Sequence, residues 1–324
     1  MNGLALPGRQ AELLRQRDIR IIVTGAGGWI GRATLEILAE ALGLDGFRRN
    51  VVALASSERR LQLQTGLDVR LGALEELDSL APTPSLLLHF AFLGREKVAE
   101  IPAERYVALN ADITQRLRRA VARLRPMGMF LASSGAVYRP DGAIDTDLAR
   151  NPYGALKYVD EVAFAEACGA TNTPLVVARI FNLAGAYINK LDGYALASFL
   201  IDAREDRPIS IRAPRIVERS YVQVGDVVNL AVAAVLEPNQ PYVRFDTAGE
   251  RIVELGELAR LAREVAGRPQ LEIHRPALDP KLPADRYVGD PAVMRSLAGR
   301  HGVSFESLER QILRTAEYLA AIRP

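Results

Sequence analysis

Tyr153 and Lys157 stand four residues apart in Asn151-Pro152-Tyr153-Gly154-Ala155-Leu156-Lys157. On a helix that spacing puts both side chains on one face. A tyrosine is a poor base at neutral pH, with a reference pKa of about 10. An ammonium group beside it favours tyrosinate and lowers that value. The pair is therefore a device for moving a proton to or from an alcohol oxygen. Taken alone, the same spacing is more often a solvated helix face. A second clue lies upstream, where Met127 to Ser133 reads as a strand that runs into Ala132-Ser133-Ser134-Gly135-Ala136-Val137-Tyr138. In a parallel sheet, ligands bind off the carboxyl ends of the strands. A serine there can bond the oxygen that the tyrosine serves, although Ser133 and Ser134 also suit simple turn chemistry.

A third clue is Thr24-Gly25-Ala26-Gly27-Gly28-Trp29-Ile30-Gly31. It follows the apolar run Ile19 to Val23 and opens a helical pattern from Ala33 to Leu42. Gly25 permits a tight turn, Gly28 lets a pyrophosphate approach the backbone, and Gly31 lets helix and strand pack closely. The helix N-terminus would face the phosphates with free N–H groups. The spacing is GxxGxxG rather than the commoner GxGxxG, and a plain glycine-rich turn is the alternative.

These residues need a scaffold that gathers them at one edge. Val51 to Ala55 is a continuous apolar strand of the buried parallel type. Val69 to Gly72 is a weak strand and Leu86 to Ala91 a strong one. A long helix follows from Ala103 to Arg125, with Pro102 before it. Asn151 caps the helix that carries Tyr153, and Gly169 is expected just past its end. Leu175 to Ile180 is a sixth strand. The alternation predicts an α/β fold, a Rossmann-type doubly wound parallel sheet, over residues 19–182. After Asn182 it loosens. Helical patterns remain at Val227–Leu236, expected to pack back on the sheet with residues 220–250, at Leu255–Ala266 and at Phe305–Ile322. Residues 183–219 and 251–324 are expected to form a smaller C-terminal substrate-binding domain, and residues 1–18 an N-terminal arm.

Composition narrows the classes. The chain has 324 residues, with 41 basic against 39 acidic side chains, so it carries no nucleic-acid footprint. The arginines of 116–125 read as a solvated helix face without aromatic interleaving. Cys168 is the only cysteine, which excludes an intrachain disulfide and suggests packing rather than nucleophilic chemistry. His89, His274 and His301 show no metal-ligand spacing, and no metal is expected. No apolar run reaches the length of a membrane span, and residues 1–18 do not read as a signal peptide. A cytoplasmic protein is the expectation.

Together the motifs resemble the extended short-chain dehydrogenase/reductase family, in its NAD-dependent epimerase/dehydratase group of UDP-galactose 4-epimerase-like enzymes acting on nucleotide sugars. The resemblance covers residues 19–295. It rests on Thr24-Gly25-x-x-Gly28-x-x-Gly31, His89-Phe90-Ala91, Asn110, Ser133-Ser134-x-x-Val137-Tyr138, Tyr153-Gly154-x-x-Lys157, Arg179-x-Phe181-Asn182-x-x-Gly185-Ala186 and Arg219-Ser220-Tyr221-Val222-x-Val224-x-Asp226. It implies Tyr153 as acid/base, Lys157 as holder of the nicotinamide ribose that also depresses the tyrosine pKa, and Ser134 on the reacting oxygen. Gly25, Gly28, Trp29 and Ile30 would carry the pyrophosphate. Phe90, Ala91, Phe92 and Asn110 would belong to the cofactor wall. Ser133, Asn182 and Arg219 would face the substrate, the last two holding a diphosphate. Arg219 could instead form a surface ion pair with Glu218 or Asp226. A homodimer through the long helix and the 152–168 helix is also implied.

The departures matter. Members that prefer NAD place an acid at the end of the second strand, on the ribose 2′-hydroxyl. Here that place holds Ala55-Ser56-Ser57-Glu58-Arg59-Arg60. Ser56, Ser57 and Arg59 could accept a 2′-phosphate, which favours NADP over NAD. Arg59 and Arg60 could equally be the polar start of a helix. The Asp-Glu pair of the 4,6-dehydratases is replaced by Gly135-Ala136, which argues against dehydration. The sequence thus points to an NAD(P)-dependent epimerase or 4-ketoreductase of nucleotide sugars. A reductase of a small non-nucleotide carbonyl and a non-catalytic NAD(P)-sensing protein on the same fold are the alternatives.

Overall fold

Eight strands make one sheet in the computed structural model, which describes residues 4–191 and 193–322. They are β1 (Arg20–Thr24), β2 (Val51–Ala55), β3 (Arg59–Gln62), β4 (Asp68–Ala73), β5 (Ser85–His89), β6 (Gly128–Ser134), β7 (Leu175–Ile180) and β8 (Tyr242–Asp246). The spatial order is β8-β7-β6-β5-β1-β2-β4-β3. Neighbours are parallel, with registers such as Ile22↔Val52, Ile22↔Leu87, Leu88↔Phe130 and Leu131↔Val177. Only β3 and β4 are antiparallel. The order reverses at β1, the point where a doubly wound sheet opens a ligand crevice.

The helices are α1 (Gly8–Gln16), α2 (Trp29–Asn50), α3 (Ala103–Leu124), α4 (Pro152–Thr171), α5 (Ala195–Arg204), α6 (Val224–Leu236), α7 (Leu255–Val265), α8 (Ala292–His301) and α9 (Leu308–Ile322). Alternation along each strand sends successive side chains to opposite faces. Ile21, Val23, Leu86, Leu88 and Phe130 pack towards α2 and α6. Ile22, Leu87, Met129 and Leu131 pack towards α3 and α4, against Leu117, Val121, Phe164 and Cys168. The Cys168 thiol is buried, and burial pushes its pKa up to about 12. It is a packing residue. Every residue of α6 is buried, which makes it the central helix on its face. Among the described residues no helix is long and apolar enough to cross a membrane.

The structure departs from the sequence expectations in four places. Arg59 and Arg60 start no helix; they lie in β3, which pairs back on β4 through Leu61↔Val69. Gly169 lies inside α4, which ends at Asn172 in the left-handed region with φ 54°. Asparagine tolerates that conformation nearly as glycine does. Helix α5 has no side-chain cap at Tyr194, so its start carries no sequence signal. Strand β8 adds an unforeseen edge, with only Phe245 fully buried.

One buried ion pair ties the sheet to α4. Arg179 on β7 donates from Nε and Nη2 to the Glu161 carboxylate at 2.9 and 2.6 Å. Their side chains are 1% and 2% exposed. The Ser133 hydroxyl on β6 donates to the same carboxylate at 2.5 Å. The guanidinium also lies 4.7 Å from the Tyr138 ring centroid, and the Tyr138 hydroxyl reaches Asp246 on β8 at 3.1 Å. Removing one partner would leave an unpaired charge in the core. Arg179→Met is expected to cost about 3–5 kcal/mol in chemical denaturation, and the double variant Arg179→Met/Glu161→Met markedly less.

Candidate active site

The turn between β1 and α2 is built from close approaches. Gly25 has φ +70°, and a Cβ there would sit 2.6 Å from the Ala91 nitrogen. The turn therefore lies directly on the chain leaving β5. A Cβ on Gly31 would sit 2.3 Å from the Gly25 carbonyl oxygen. The Gly28 N–H donates to that same carbonyl at 3.0 Å, and α2 begins at Trp29. A helix N-terminus thus opens at the crevice, with glycines where side chains would obstruct a pyrophosphate. This cradle fits a dinucleotide. Two neighbours contribute differently from the expectation. The Trp29 indole N–H donates to the Ala186 carbonyl at 2.7 Å, and its ring packs edge-on against Tyr194. Ile30 packs against the core. Both side chains serve the protein, leaving only their backbone to face phosphate.

Strand β6 delivers Ser134 to the same edge. Its hydroxyl oxygen accepts from the Ala136 N–H at 3.1 Å. The hydroxyls of Tyr153 and Tyr287 both converge on it. Helix α4 is fixed at its start by Asn151, whose Oδ1 accepts from the Gly154 N–H at 3.0 Å while its amide donates to the Ala136 carbonyl at 2.8 Å. The cap therefore bolts the tyrosine-bearing turn to the serine-bearing one. Burial pushes the Tyr153 pKa up, an effect that Ser134 opposes. The expected depression by Lys157 is not what this geometry produces. The Lys157 ammonium donates to the Ala132 carbonyl at 2.8 Å and lies 3.8 Å from the Phe92 ring centroid. Phe92 in turn packs edge-on against Tyr153 at 5.7 Å. Phe92 thus touches both groups, and desolvation governs the pKa of each. Burial lowers the Lys157 pKa to about 8, with Asp160 and Glu161 acting in the other direction.

Other expected residues divide into those that face the crevice and those that support it. Ser133 does not face substrate. It is next to Ser134 on a strand, so it points to the opposite face, into Glu161. Asn110 is 1% exposed and holds the wall from behind: its Oδ1 accepts from the Leu93 N–H at 2.9 Å, and its amide donates to the Tyr106 carbonyl. Phe90 packs partly into the core, while Phe92 remains at the crevice. His89 is fully buried, bonded to Thr24 Oγ1 at 2.7 Å, and burial and the Lys157 charge lower its pKa to about 3. It is a neutral link between β1 and β5. Among the described residues no group of histidine, cysteine and carboxylate side chains could hold a metal.

The remaining expected residues, Asn182 and Arg219, lie on short strands outside the main sheet. Asn182–Ala184 pairs with Tyr221–Gln223, and Val217–Arg219 pairs with Asp285–Tyr287. The Asn182 amide donates to the Ser220 and Tyr287 carbonyls at 3.3 and 3.1 Å. The Arg219 guanidinium donates to both Asp285 carboxylate oxygens at 3.2 and 2.9 Å, so its ion-pair partner is the Asp285 carboxylate rather than that of Glu218 or Asp226, although it also donates to the Glu218 backbone carbonyl at 2.9 Å. Sequence reasoning missed Tyr287. Its ring packs at a tilt against Phe181, with centroids 4.6 Å apart, and burial pushes its pKa up to about 12. Only its long-range pairing beside Arg219 brings it to Ser134, and no local motif announces that.

At the far edge, Ser56 and Ser57 are exposed just after β2. Arg59 reaches back over the glycine turn, where a Cβ on Gly27 would fall 2.1 Å from its Nη2. Glu58 points away and pairs with Arg70 at 3.0 Å. Arg70 also holds Glu76 at 2.7 Å.

Comparison with known proteins agrees with this layout. The family described as NAD dependent epimerase/dehydratase matches residues 21–245. The dTDP-L-rhamnose 4-epimerase of Burkholderia thailandensis is 24% identical over 303 residues, covering 79% of this chain and 83% of that protein. The UDP-glucose 4-epimerase of Azospirillum brasilense is 25% identical over 309 residues, covering 87% and 84%. A solved UDP-N-acetylglucosamine 4-epimerase from Methanobrevibacter ruminantium, in complex with UDP-N-acetylmuramic acid, shares the fold with a TM-score of 0.74 at 17% identity, over 94% of this chain and 99% of that one. The family match spans the glycine turn, Ser134, Tyr153 and Lys157, and this chain belongs to the NAD dependent epimerase/dehydratase family.

Proposed function

We propose that this protein interconverts a hydroxyl and a keto group at a sugar carbon of a nucleoside diphosphate sugar. The observation that carries the reading is the convergence of the Tyr153 hydroxyl on Ser134 beside the glycine cradle. The bound nicotinamide dinucleotide supplies the hydride acceptor and donor. The rest is work for the chain's own residues. Ser134 holds the reacting oxygen. Tyr153 takes its proton as the carbon is oxidised and returns it on reduction. Lys157 would give its ammonium to the ribose of the cofactor and bring positive charge towards Tyr153. Asn182 keeps Tyr287 in place. Arg219 has the planar fork that suits a diphosphate, with Asp285 holding it in the absence of substrate.

The named relatives act on UDP- and dTDP-sugars at C4, and we take C4 epimerisation as the first reading. Arg59 against Gly27, with Glu58 turned away to Arg70, favours an NADP-dependent 4-ketoreductase as the second. The α3 and α4 helices are proposed as the homodimer contact. Incubation with UDP-glucose and dTDP-L-rhamnose, followed by NMR of the sugar, tests the reading. Epimer without net cofactor turnover supports the first form. Stoichiometric NADPH oxidation by a keto-sugar supports the second. Failure to bind either dinucleotide would end the enzymatic reading.

Three outcomes are expected. Tyr153→Phe lowers turnover by roughly 10²–10⁴-fold while cofactor affinity in a fluorescence titration stays within about twofold. Arg59→Ala weakens NADPH by about tenfold or more and leaves NADH nearly unchanged, since only the former carries the 2′-phosphate that a guanidinium pairs with. Cofactor affinity is flat below pH 8 and falls above it, by at most about tenfold per pH unit. The reason is that Lys157 binds as a cation, so binding above its pKa of about 8 requires proton uptake. Lys157→Met loses this alkaline fall; a profile that keeps it removes the lysine from the cofactor site.

A further inference from the structure

The chain leaving β5 passes the glycine turn and is then anchored from behind. The Leu93 N–H donates to Asn110 Oδ1 at 2.9 Å, and the Leu93 carbonyl accepts from the Tyr106 hydroxyl at 2.7 Å. Just before that anchor, Phe92 touches Tyr153 and Lys157. Just after it come three exposed charges, Arg95, Glu96 and Lys97. Two of them are already paired. The Glu96 carboxylate folds back over Gly94, where a Cβ would fall 2.2 Å from its Oε1, and it meets Lys190 at 3.0 Å. The Lys97 ammonium pairs with Glu100. Arg95 makes no hydrogen bond or ion pair among the described residues.

That free cation lies within electrostatic reach of the hydroxyls gathered at Ser134. Tyr153 comes to Ser134 from α4, and Tyr287 comes from the Asp285–Tyr287 strand. Burial pushes both phenols up, and the Arg95 charge opposes that rise at each. At Tyr153 the Glu96 charge works the other way, whereas at Tyr287 the Arg219 charge joins that of Arg95. Arg219 is the cross-strand neighbour of Tyr287. Tyr287 therefore stands between two guanidiniums, one on the loop after β5 and one on the strand beside its own.

Two cations call for two anions. Arg219 has the diphosphate under the function proposed above. In a reaction at C4 the diphosphate-bearing carbon lies across the sugar ring from the reacting one, so one diphosphate does not serve both arginines. Arg95 is left with the sugar itself. A neutral sugar offers it hydroxyls alone and displaces water from it, which leaves the charge without a counter-ion. A carboxylate on the ring carbon next to the reacting one would meet its planar fork with two parallel hydrogen bonds. We infer that Arg95 is a specificity residue that binds the carboxylate of a nucleoside diphosphate uronate as a bidentate ion pair. This rests on the reaction proposed above and adds the class of sugar that it takes.

Kinetics on the full chain test this, with UDP-glucuronate, UDP-glucose and dTDP-L-rhamnose as probes and both dinucleotides supplied. Products are followed by NMR of the sugar and by nicotinamide absorbance, and each variant is checked for folding by circular dichroism. The wild type is expected to favour UDP-glucuronate over UDP-glucose by about tenfold or more in kcat/KM, the worth of one charge-assisted pair. Arg95→Gln is expected to remove that preference, chiefly through KM, and Arg95→Lys, which keeps the charge without the fork, to fall between. Added salt raises KM more steeply for UDP-glucuronate than for UDP-glucose, and Arg95→Gln abolishes the difference. A wild type that converts UDP-glucose or dTDP-L-rhamnose at least as well as UDP-glucuronate retains the proposed reaction and overturns the Arg95 assignment. An Arg95→Gln protein that loses equally on both UDP-sugars does the same. A wild type that binds a dinucleotide and converts none of the three overturns the reaction and the assignment together.

Discussion

The Glu161–Arg179 ion pair is the constraint from which the site follows. It lies where β6, β7 and α4 meet, and it fixes two rotations at once. Ser133 is drawn down to Glu161, so the next residue on the strand, Ser134, must point up at the crevice. Glu161 is four and eight residues from Lys157 and Tyr153, so anchoring it against the sheet turns that whole stripe of α4 inward. Lys157 then meets the Ala132 carbonyl and Tyr153 meets Ser134. The geometry around Ser134, Tyr153 and Lys157 is thus set from beneath, by Glu161, Arg179 and Ser133. Their low exposure makes them costly ions, and the bidentate pairing with an added serine hydroxyl offsets that cost.

Desolvation is the second theme. The crevice holds Tyr153 neutral and lowers Lys157 towards the physiological range, so the single chain is not preset for proton abstraction. Phe92 touches both groups, with the Lys157 ammonium over its ring and Tyr153 packed edge-on against it. The same low dielectric strengthens every charge placed there afterwards.

What the sequence revealed was what local chemistry determines. The glycine turn, the five apolar strands from β1 to β7, the Asn151 cap and the Tyr153–Lys157 spacing are written in consecutive residues, and the structure has them. What it hid depends on pairing between distant segments. The β3 hairpin reads as charged and helix-like until Leu61 finds Val69. Ser133 and Ser134 are equivalent on paper, and only the buried carboxylate of Glu161 separates their roles. Tyr287 belongs to a three-residue strand that exists because Val217–Arg219 lies beside it. Trp29 and Asn110 sit where a cofactor contact would be expected, yet their polar groups bond the protein's own backbone.

That contrast has a consequence for how specificity is built. Ser134, Tyr153 and Lys157 lie on β6 and α4, long elements locked by the ion pair and by the Asn151 cap. Asn182, Arg219 and Tyr287, proposed to face the rest of the substrate, lie on the short segments Asn182–Ala184, Val217–Arg219 and Asp285–Tyr287, beside Tyr221–Gln223. Each of these is held by one neighbour or two, through contacts such as Asn182 on the Tyr287 carbonyl and Arg219 on Asp285. A change in one short strand can move Tyr287 or release Arg219 without disturbing Ser134 or Tyr153. Under the function proposed above, strand-end chemistry on a rigid sheet, with recognition on short paired segments beside it, would let one proton-transfer site be kept while the sugar and nucleotide it accepts are altered.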